Sequence, residues 1–235
     1  MKRVALVIPT YNERDNLPRL IRDIFNLAIP QLSVIIADDN SSDGTGDLAE
    51  ELAREYPVHV LHRAEKLGMG TAYVHAFKHV LAMEPRFDYV MQMDADLSHN
   101  PSFIPDFLKK VEQCDVVLGS RYIPGGSIQD WGFLRRMVSR CGNFYARSIL
   151  HVPYRDLTGG FKCFRREVLE SLSLDSLSSL GYNFQIEMTF QAHRKGFHIC
   201  ETPILFTDRA AGKSKFHLGI MIEAFWKVLL LRFRK

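Results

Sequence analysis

The chain has 235 residues, of which 46% are hydrophobic and 24% are charged, an ordinary composition for a folded globular protein. Its formal net charge is only +3, so the molecule as a whole is not built to bind a polyanion, and any anion site must be a local cluster of cations. A chain of this length can bury a sizeable core as one domain, with two small domains as the alternative.

The cysteines are far apart in the sequence and show no CxxC or Cys/His spacing. They are Cys114, Cys141, Cys163 and Cys200. We therefore expect free thiols in a reducing compartment rather than a disulfide framework. The apolar stretch at the N-terminus ends at Ile8, which is too short for a signal peptide. These features predict a cytoplasmic protein.

The first half of the chain alternates short apolar segments with amphipathic ones. The apolar segments have the length and the β-branched residues of buried strands. They cover residues 4–8, 33–37, 58–61, 89–93 and 115–118. Between them, apolar residues recur at helical spacing, as at Leu17, Leu20 and Ile24, and further helices are predicted over 48–56 and 71–83. This alternation predicts a parallel sheet covered by helices on both faces.

Two acidic turns directly follow predicted strands. Asp94-Ala95-Asp96 comes after the fourth strand. Asp38-Asp39 comes after the second. The carboxyl ends of parallel strands share one edge of a sheet, where carboxylates repel each other unless a cation lies between them, so a divalent metal facing a phosphate-bearing ligand is predicted. A solvated turn explains either segment alone, but not two acidic turns at one edge.

After about residue 122 the pattern changes. Phe133–Leu150 is predicted to be a helix rich in arginine, 183–195 a second helix and 197–206 an extended segment. Cations that could bind phosphate oxygens are Arg121, Arg135, Arg209, Lys213 and Lys215. A solvated surface role is the simpler explanation for any single arginine. The crowding of three cations at 207–215 nevertheless indicates an anion site.

The last segment, residues 216–235, is apolar over a wide helical face. Crossing a bilayer takes roughly 20 apolar residues, and Glu223 and Lys227 interrupt this segment too early. Two interpretations fit the pattern. One is an interfacial helix with Trp226 at the depth of the lipid headgroups, and the other is a packed C-terminal core helix.

Several motifs, taken together, resemble those of the family 2 inverting glycosyltransferases. They are Ile-Pro-Thr-Tyr-Asn-Glu at 8–13, the acidic turn at 38–45, Lys-Leu-Gly-Met-Gly-Thr-Ala at 66–72 and Met-Asp-Ala-Asp-Leu-Ser-His at 93–99. A second set is similar to the dolichol-phosphate, or polyprenyl-phosphate, mannosyltransferases. It comprises Gly-Ser-Arg-Tyr at 119–122, the glycine turn at 156–161, Gly-Tyr-Asn-Phe-Gln-Ile-Glu-Met at 181–188 and Gly-Lys-Ser-Lys at 212–215.

The resemblance implies a glycosyltransferase A-type (GT-A) fold, a mixed Rossmann-like sheet flanked by helices, with an amphipathic C-terminal helix. It also implies inverting transfer of mannose from GDP-mannose to dolichyl or polyprenyl phosphate at the cytosolic face of a membrane. A phosphate monoester has a second pKa of about 6 and is largely a dianion at neutral pH. Such an acceptor needs no strong general base, and no residue pattern in the sequence identifies one.

Roles for individual residues follow from the matching motifs. The implied donor-binding residues are Pro9, Tyr11, Glu13, Asp39, Lys66, Gly68, Asp94, Ala95 and Asp96. The implied ligands of Mg²⁺ or Mn²⁺ are Asp94 and Asp96, with Ser98 as a third candidate at a position where some relatives carry Gln. The implied catalytic residues are Asp94, Asp96 and Arg121. Those implied to bind the acceptor phosphate are Arg121, Arg135, Arg209 and Lys215.

The resemblance further implies one catalytic domain over 1–215 and a membrane-interfacial helix over 216–235. Some relatives continue into transmembrane helices, whereas this chain ends without one. We therefore expect peripheral attachment to the endoplasmic reticulum or plasma membrane, or a small membrane partner subunit, and no nucleic-acid partner. Two alternatives stay open, the same chemistry with another donor such as UDP-glucose and a catalytically inactive sugar-nucleotide-binding subunit.

Overall fold

The computed structural model describes residues 1–177, 182–208 and 218–233. Its strands are β1 (Val4–Thr10), β2 (Leu32–Asp38), β3 (Val58–His62), β4 (Tyr89–Gln92), β5 (Val116–Ser120), β6 (Ser127–Ile128), β7 (Lys162–Arg165), β8 (Ile199–Pro203) and β9 (Leu205–Phe206). Its α-helices are α1 (Leu17–Phe25), α2 (Thr45–Leu52), α3 (Met69–Ala82), α4 (Ile104–Lys110), α5 (Phe133–Leu150), α6 (Arg166–Ser171), α7 (Tyr182–Arg194) and α8 (Leu218–Phe233). Two short 3₁₀ helices cover Pro101–Phe103 and Leu174–Ser176.

Seven of these strands form one mixed sheet, in the spatial order β3, β2, β1, β4, β7, β5 and β8. All neighbouring strands are parallel except at β7, which runs antiparallel between β4 and β5. The carboxyl ends of β1, β2, β4 and β5 therefore lie at one edge of the sheet, and β7 begins there. This edge is called the carboxyl edge below.

The fold class expected from the sequence, a mixed sheet flanked by helices, is confirmed. The five predicted strands are present as β1 to β5, with ends that differ by at most two residues. The alternation alone predicted a purely parallel sheet, which is wrong because β7 is inserted in the opposite direction. The extended segment at 197–206 divides at Ile204, which is buried, so that β8 joins the main sheet while β9 pairs with β6.

Alternate residues of the strands bury their side chains against two different helical layers. In β1, Ala5 and Val7 belong to a core that includes residues of α3, α5, α7 and α8. Leu6 and Ile8 belong to the opposite core, which includes residues of α1 and α4. Burying a Val, Leu or Ile side chain contributes roughly 1.5–3 kcal/mol. The two cores therefore hold the sheet from both sides and fix the positions of its strand ends.

Helix α8 has both buried and exposed apolar side chains, so its packing against the core is observed while its contact with a membrane stays a prediction. Val228 and Leu231 are buried in the core shared with α5 and α7, whereas Trp226 and Leu230 are exposed. Within the described residues, no helix has both the length and the apolar content needed to cross a membrane. The predicted domain division at residue 215 stays a prediction, because 209–217 lie outside the described residues.

The expectation of free thiols is wrong for two of the four cysteines. Cys114 and Cys200 form a disulfide, with their Cα atoms 6.1 Å apart. Cys200 lies in β8 opposite Val117 of β5, and Cys114 lies two residues before β5 begins. Sequence spacing could not reveal this pair, because 86 residues separate partners that meet only through the sheet. Cys141 and Cys163 are free.

Candidate active site

The acidic triplet lies at the carboxyl edge, just after β4. Asp94 accepts a hydrogen bond through Oδ1 from the Tyr73 hydroxyl of α3, at 3.2 Å. Asp96 accepts through Oδ1 from the backbone N–H and the hydroxyl of Ser98, at 3.1 and 2.5 Å. Leu97, between them, has a φ of +62°, so the chain turns sharply there and Ser98 comes back onto Asp96. Neighbouring side chains therefore fix both carboxylates.

The triplet offers the kind of ligands that a hard divalent cation prefers. The side chain of Asp94 is 24% exposed, and Asp96 is largely buried. Carboxylate oxygens are the usual protein ligands of Mg²⁺ and suit Mn²⁺ as well, so the donor set fits the predicted metal, with Asp94 and Asp96 as the residues that would hold it. Ser98 is fully buried and donates to Asp96, a geometry that favours orienting Asp96 over acting as a third ligand.

His99 supports the backbone of the triplet. Its Nδ1 accepts a hydrogen bond from the N–H of Asp94 at 3.2 Å, and its ring packs against Phe161 and Phe206, with centroids 5.3 Å away in each case. Burial lowers the pKa of His99, so the ring is neutral at neutral pH and Nδ1 can act as an acceptor. Burial, followed by the charge of Asp94, raises the pKa of Tyr73 and keeps its hydroxyl protonated as a donor.

Arg121 and Asp156 form a buried ion pair beside β5. The backbone N–H and Nε of Arg121 donate to Oδ2 of Asp156 at 3.0 and 2.7 Å, and Nη2 donates to Oδ1 at 2.7 Å. Nη2 also donates to the Thr158 hydroxyl at 2.8 Å. Burial alone would raise the pKa of Asp156, but its contacts with Arg121 hold that pKa below the ordinary value. Arg121 thus has a structural role that the sequence analysis did not anticipate.

A glycine loop connects the acidic triplet to this ion pair. A Cβ on Gly160 would lie 3.2 Å from both carboxylate oxygens of Asp94. A Cβ on Gly159 would lie 3.1 Å from the Gly119 carbonyl oxygen in β5. Because glycine has no side chain, the backbone that follows Asp156 can pass directly beside Asp94. The loop at 156–161 therefore brings the ends of β4 and β5 into one site.

On the other side of the site, Asp39 follows β2 and is buried. Its backbone N–H donates to the Thr10 carbonyl at 3.0 Å, and its carboxylate accepts from the guanidinium of Arg63. Arg63 also donates to the Thr71 hydroxyl at 2.8 Å, which joins the β2 turn to the start of α3. Burial raises the pKa of Asp39, and the charge of Arg63 opposes this shift.

Other residues expected to bind the donor lie in or after β1 and just before α3. Pro9 lies in β1, and Glu13 is half-buried in the loop that follows it. Tyr11 is 39% exposed, and the Nζ of Lys66 lies 3.3 Å from the centroid of its ring. Gly68 precedes α3 with a φ of +98°, a conformation that favours glycine, and its backbone N–H partly opposes the raised pKa of Asp39.

Arg135 lies farther out, on α5. Its Nη1 donates to both carboxylate oxygens of Asp208, at 2.8 and 2.9 Å, and its guanidinium lies 4.0 Å from the centroid of the Trp131 ring. Trp131 packs edge-on against Phe206, and both rings lie within 6 Å of the Arg121 guanidinium. The rings of Trp131 and Phe206 therefore connect Arg121 to Arg135, so the two arginines belong to the same region of the site.

Two predicted phosphate-binding residues, Arg209 and Lys215, lie outside the described residues. Several residues that contact the site received no role from the sequence, among them Asp156, Arg63 and Tyr73. Asp156 stood inside a recognised motif. Arg63 comes two residues after a predicted strand, so its position at the carboxyl edge could have been inferred. Tyr73 lies inside α3 and gives no local signal.

A buried lysine lies behind the site. Lys162, the first residue of β7, donates through Nζ to the Gln185 carbonyl at 2.6 Å and to the Thr189 hydroxyl at 2.9 Å. Burial lowers its pKa to about 7, and the negative charge of Asp156 opposes this shift. The lysine ties β7, and so the end of the glycine loop, to α7.

We expect Lys162→Met to change how stability depends on pH. Between the folded-state pKa of about 7 and the ordinary value of 10.5, the unfolded chain binds more protons at this lysine than the folded chain. The free energy of unfolding of the wild type should therefore rise with pH in this window, relative to that of the variant. Urea unfolding of both proteins from about pH 6.5 to about pH 9.5 measures this difference.

The matched control is Lys109→Met, which removes an exposed lysine from α4. It should change the free energy of unfolding by a constant amount across the same pH range. A difference between wild type and Lys162→Met that is equally independent of pH would contradict the assignment of a depressed pKa to Lys162.

The architecture and the site define a class of protein, the glycosyltransferases with a GT-A fold. The same architecture occurs in crystal structures of glucosyl-3-phosphoglycerate synthase from Mycobacterium tuberculosis. The complex with Mn²⁺, uridine-diphosphate and phosphoglyceric acid has a TM-score of 0.70 at 22% identity, covering 98% of this chain and 78% of that chain. The complex with Mg²⁺ and uridine-diphosphate has a TM-score of 0.67 at 22% identity, with 98% and 79% covered. This likeness establishes the fold.

The particular family is glycosyl transferase family 2, whose sequence pattern matches residues 5–173, and the chain belongs to it. A polyprenol monophosphomannose synthase of Mycolicibacterium smegmatis is 42% identical over 97% of this chain and 86% of its own length. An undecaprenyl-phosphate mannosyltransferase of Micrococcus luteus is 43% identical over 94% of this chain and 90% of its own length.

Proposed function

We propose that this protein transfers mannose from GDP-mannose to dolichyl or polyprenyl phosphate, with inversion at the anomeric carbon. Likeness to the two relatives over nearly the whole chain supports the sugar and the acceptor class. The single observation that carries the proposal is the approach of Gly160 to Asp94, in the loop that also holds the Arg121–Asp156 pair. A site for a metal-bound diphosphate and a site with arginines for a second phosphate therefore adjoin.

The nucleotide would lie over the ends of β1 and β2. Arg63 holds Asp39 where its carboxylate can accept a hydrogen bond from a ribose hydroxyl or a base N–H. The exposed ring of Tyr11 offers a face on which a base can stack. Lys66, which now lies over that ring, would move to the donor phosphates. Gly68 leaves room for the nucleotide to approach the start of α3.

Asp94 and Asp96 would hold Mg²⁺ or Mn²⁺, and the bound ion would neutralise the charge of the leaving diphosphate. Tyr73 and Ser98 keep the two carboxylates oriented before any ligand arrives. Polar groups fixed in this way reorganise little during the reaction, which is how such sites lower the barrier. Sequence and structure thus support the same two carboxylates for this role.

For the acceptor phosphate, Arg135 is the most accessible of the described arginines proposed for this role. Its ion pair with Asp208 is 30% and 37% exposed at the two side chains, and such pairs contribute only about 0–1 kcal/mol. A phosphate dianion can therefore replace Asp208 at little cost. Arg121, in its buried ion pair, would hold the loop and add positive charge, and Arg209 and Lys215 would add more. The acceptor, already a dianion, needs no strong base to attack.

A lipid acceptor agrees with the exposed apolar side chains of two helices, which we call the apolar surface. On α5 these are Phe133, Leu134, Met137 and Phe144, and on α8 they are Phe225, Trp226, Leu230 and Phe233. The two sets adjoin, because the ring of Tyr145 stacks on that of Phe225 with centroids 4.7 Å apart. We propose that this surface lies on the cytosolic face of the endoplasmic reticulum or plasma membrane, with a small membrane subunit as the alternative partner.

The double variant Phe133→Ser/Leu134→Ser should bind vesicles at least about tenfold more weakly than the wild type. The two side chains are 81% and 68% exposed, and burying even half of each would contribute about 1.4 kcal/mol or more. Sedimentation with vesicles of phosphatidylcholine and an anionic lipid measures the partition. Leu67→Ser removes an exposed leucine outside the apolar surface and is the control. Equal sedimentation of the double variant and the wild type would refute the membrane assignment.

The proposed function is tested with purified protein, polyprenyl phosphate and a panel of labelled sugar nucleotides, with and without a chelator. We expect transfer of mannose from GDP-mannose, and its loss on chelation. A preference for UDP-glucose would replace the donor while keeping the chemistry. Nucleotide binding without turnover of any donor would instead support the inactive-subunit alternative.

A further inference from the structure

Three potential metal ligands meet far from the acidic triplet, where β5 and β8 begin. They are the Sγ atoms of Cys114 and Cys200 and one ring nitrogen of His198, and all lie within 4.8 Å of one another. Cys114 is buried, Cys200 is half-buried and His198 is exposed, so the group can be reached from solvent. We call these three residues the Cys/His cluster. It lies at the edge of the sheet opposite the carboxyl edge.

The ring of His198 is oriented as that of a metal-binding histidine. Its Nδ1 lies 3.1 Å from the carbonyl oxygen of Gln113, which can only accept a hydrogen bond, so Nδ1 carries the proton. The lone pair is then on Nε2, which lies 3.9 Å from Sγ of Cys200. Metal-binding histidines typically donate their other ring N–H to a carbonyl or carboxylate in this way. The backbone N–H of His198 donates to Asp115 at 2.8 Å, which fixes the residue further.

We propose that the Cys/His cluster of the reduced protein binds a thiophilic divalent cation, Zn²⁺, and that the disulfide is the metal-free oxidised form of the same site. Zinc–sulfur and zinc–nitrogen bonds of about 2.3 and 2.0 Å place tetrahedral ligands roughly 3.5–3.8 Å apart. The His198–Cys200 separation of 3.9 Å is already close to this spacing. Once the S–S bond is broken, the two sulfurs can move apart to the same distance.

The two thiolates and the imidazole of the Cys/His cluster should prefer a different metal ion from the one that Asp94 and Asp96 prefer. Thiolate ligands favour Zn²⁺, whereas the carboxylates of Asp94 and Asp96 suit Mg²⁺ or Mn²⁺. With three protein ligands, the fourth position of the ion is left to water.

The disulfide is converted into the zinc-bound form in two balanced steps. A trialkylphosphine and one water convert the disulfide into two thiols and a phosphine oxide, and Zn²⁺ then displaces one proton from each of Cys114 and Cys200.

The cluster has a structural consequence for the strand that it joins to β5. Cys200 is in β8, and the far end of that strand, Pro203, lies opposite Ser120, next to Arg121. Either the disulfide or the metal would connect the same two strands. Reduction of the disulfide removes this connection, and binding of Zn²⁺ to the reduced protein should therefore restore it.

Cobalt is a suitable probe, because only thiolate ligands produce sulfur-to-cobalt charge-transfer absorption. The phosphine-reduced wild type should take up one Co²⁺ per chain with this absorption, and one equivalent of Zn²⁺ should remove it. The oxidised wild type should show no such band. The double variant Cys114→Ser/Cys200→Ser should abolish the band, and His198→Asn should weaken Co²⁺ binding at least about tenfold. Cys141→Ser, which removes an exposed cysteine outside the cluster, should leave binding unchanged.

Absence of the band in the reduced wild type, or its persistence in Cys114→Ser/Cys200→Ser, would overturn the proposal. Cobalt bound at Asp94 and Asp96 cannot mimic the expected result, because those ligands contain no sulfur. The comparison of oxidised and reduced wild type needs no substitution, so it decides the question even if a variant fails to fold.

Discussion

Asp96→Ala is expected to lower the rate of mannosyl transfer by at least about a hundredfold, and in effect to abolish it. The carboxylate of Asp96 is largely buried and is oriented by two hydrogen bonds from Ser98. Its removal deletes one of the two proposed metal ligands and leaves the Ser98 hydroxyl without its acceptor. Transfer of labelled mannose to polyprenyl phosphate, at saturating donor and metal, measures the effect.

Two further variants make this result specific. Asp106→Ala removes an exposed carboxylate in the first turn of α4 and should leave transfer unchanged. Ser98→Ala should cost less than Asp96→Ala, because it removes an orienting bond and leaves the carboxylate in place. Near-normal transfer by purified Asp96→Ala would exclude the metal role of the triplet. Equal losses in Ser98→Ala and Asp96→Ala would indicate that Ser98 is itself a ligand.

Arg121→Ala is expected to destabilise the fold by about 3–5 kcal/mol, because it leaves the Asp156 carboxylate buried without its partner. The sequence predicted that this arginine acts chiefly on phosphate, but three of its N–H groups donate to Asp156. In a chain of this length each kcal/mol lowers Tm by about 2–4 °C, so a fall of roughly 6–20 °C should follow. Calorimetry and urea unfolding measure the loss.

A surface pair provides the comparison for Arg121→Ala. Arg19→Ala breaks the exposed pair with Asp23 on α1 and should cost about 0.5 kcal/mol or less. The double variant Arg121→Met/Asp156→Leu should recover part of the stability, since apolar residues can replace a buried ion pair. A loss below about 1 kcal/mol in Arg121→Ala, with a raised KM for the lipid phosphate, would instead identify Arg121 as mainly an anion-binding residue.

The sequence was most informative where structure depends on nearby residues. Buried parallel strands are almost continuously apolar, so β1, β2, β4 and β5 could be located, and with them the edge to which Asp39 and Asp94 belong. The direction of β7 could not be predicted, because four residues carry no local sign of which strands they will pair with. Only the pairing of β4 and β5 through β7 decides that the sheet is mixed.

Long-range pairs were the main gap. Cys114 and Cys200 meet because β5 and β8 are neighbours, and Asp156 reaches Arg121 through a loop that returns to the carboxyl edge. Neither contact has a signature in residue spacing. The resemblance to known transferases had marked the segment that contains Asp156, but it did not indicate that this carboxylate would bind a residue assigned to phosphate.

The antiparallel strand β7 also sets the width of the candidate active site. Adjacent strands of a sheet lie about 4.8 Å apart, so with one strand between them the ends of β4 and β5 are separated by about 10 Å. This span belongs to the hydrogen-bonded backbone and does not depend on which side chains are present. The glycine loop lies between these two strand ends. The proposed donor and acceptor sites would therefore be held at a fixed separation, and substitutions along the strands would leave that separation unchanged.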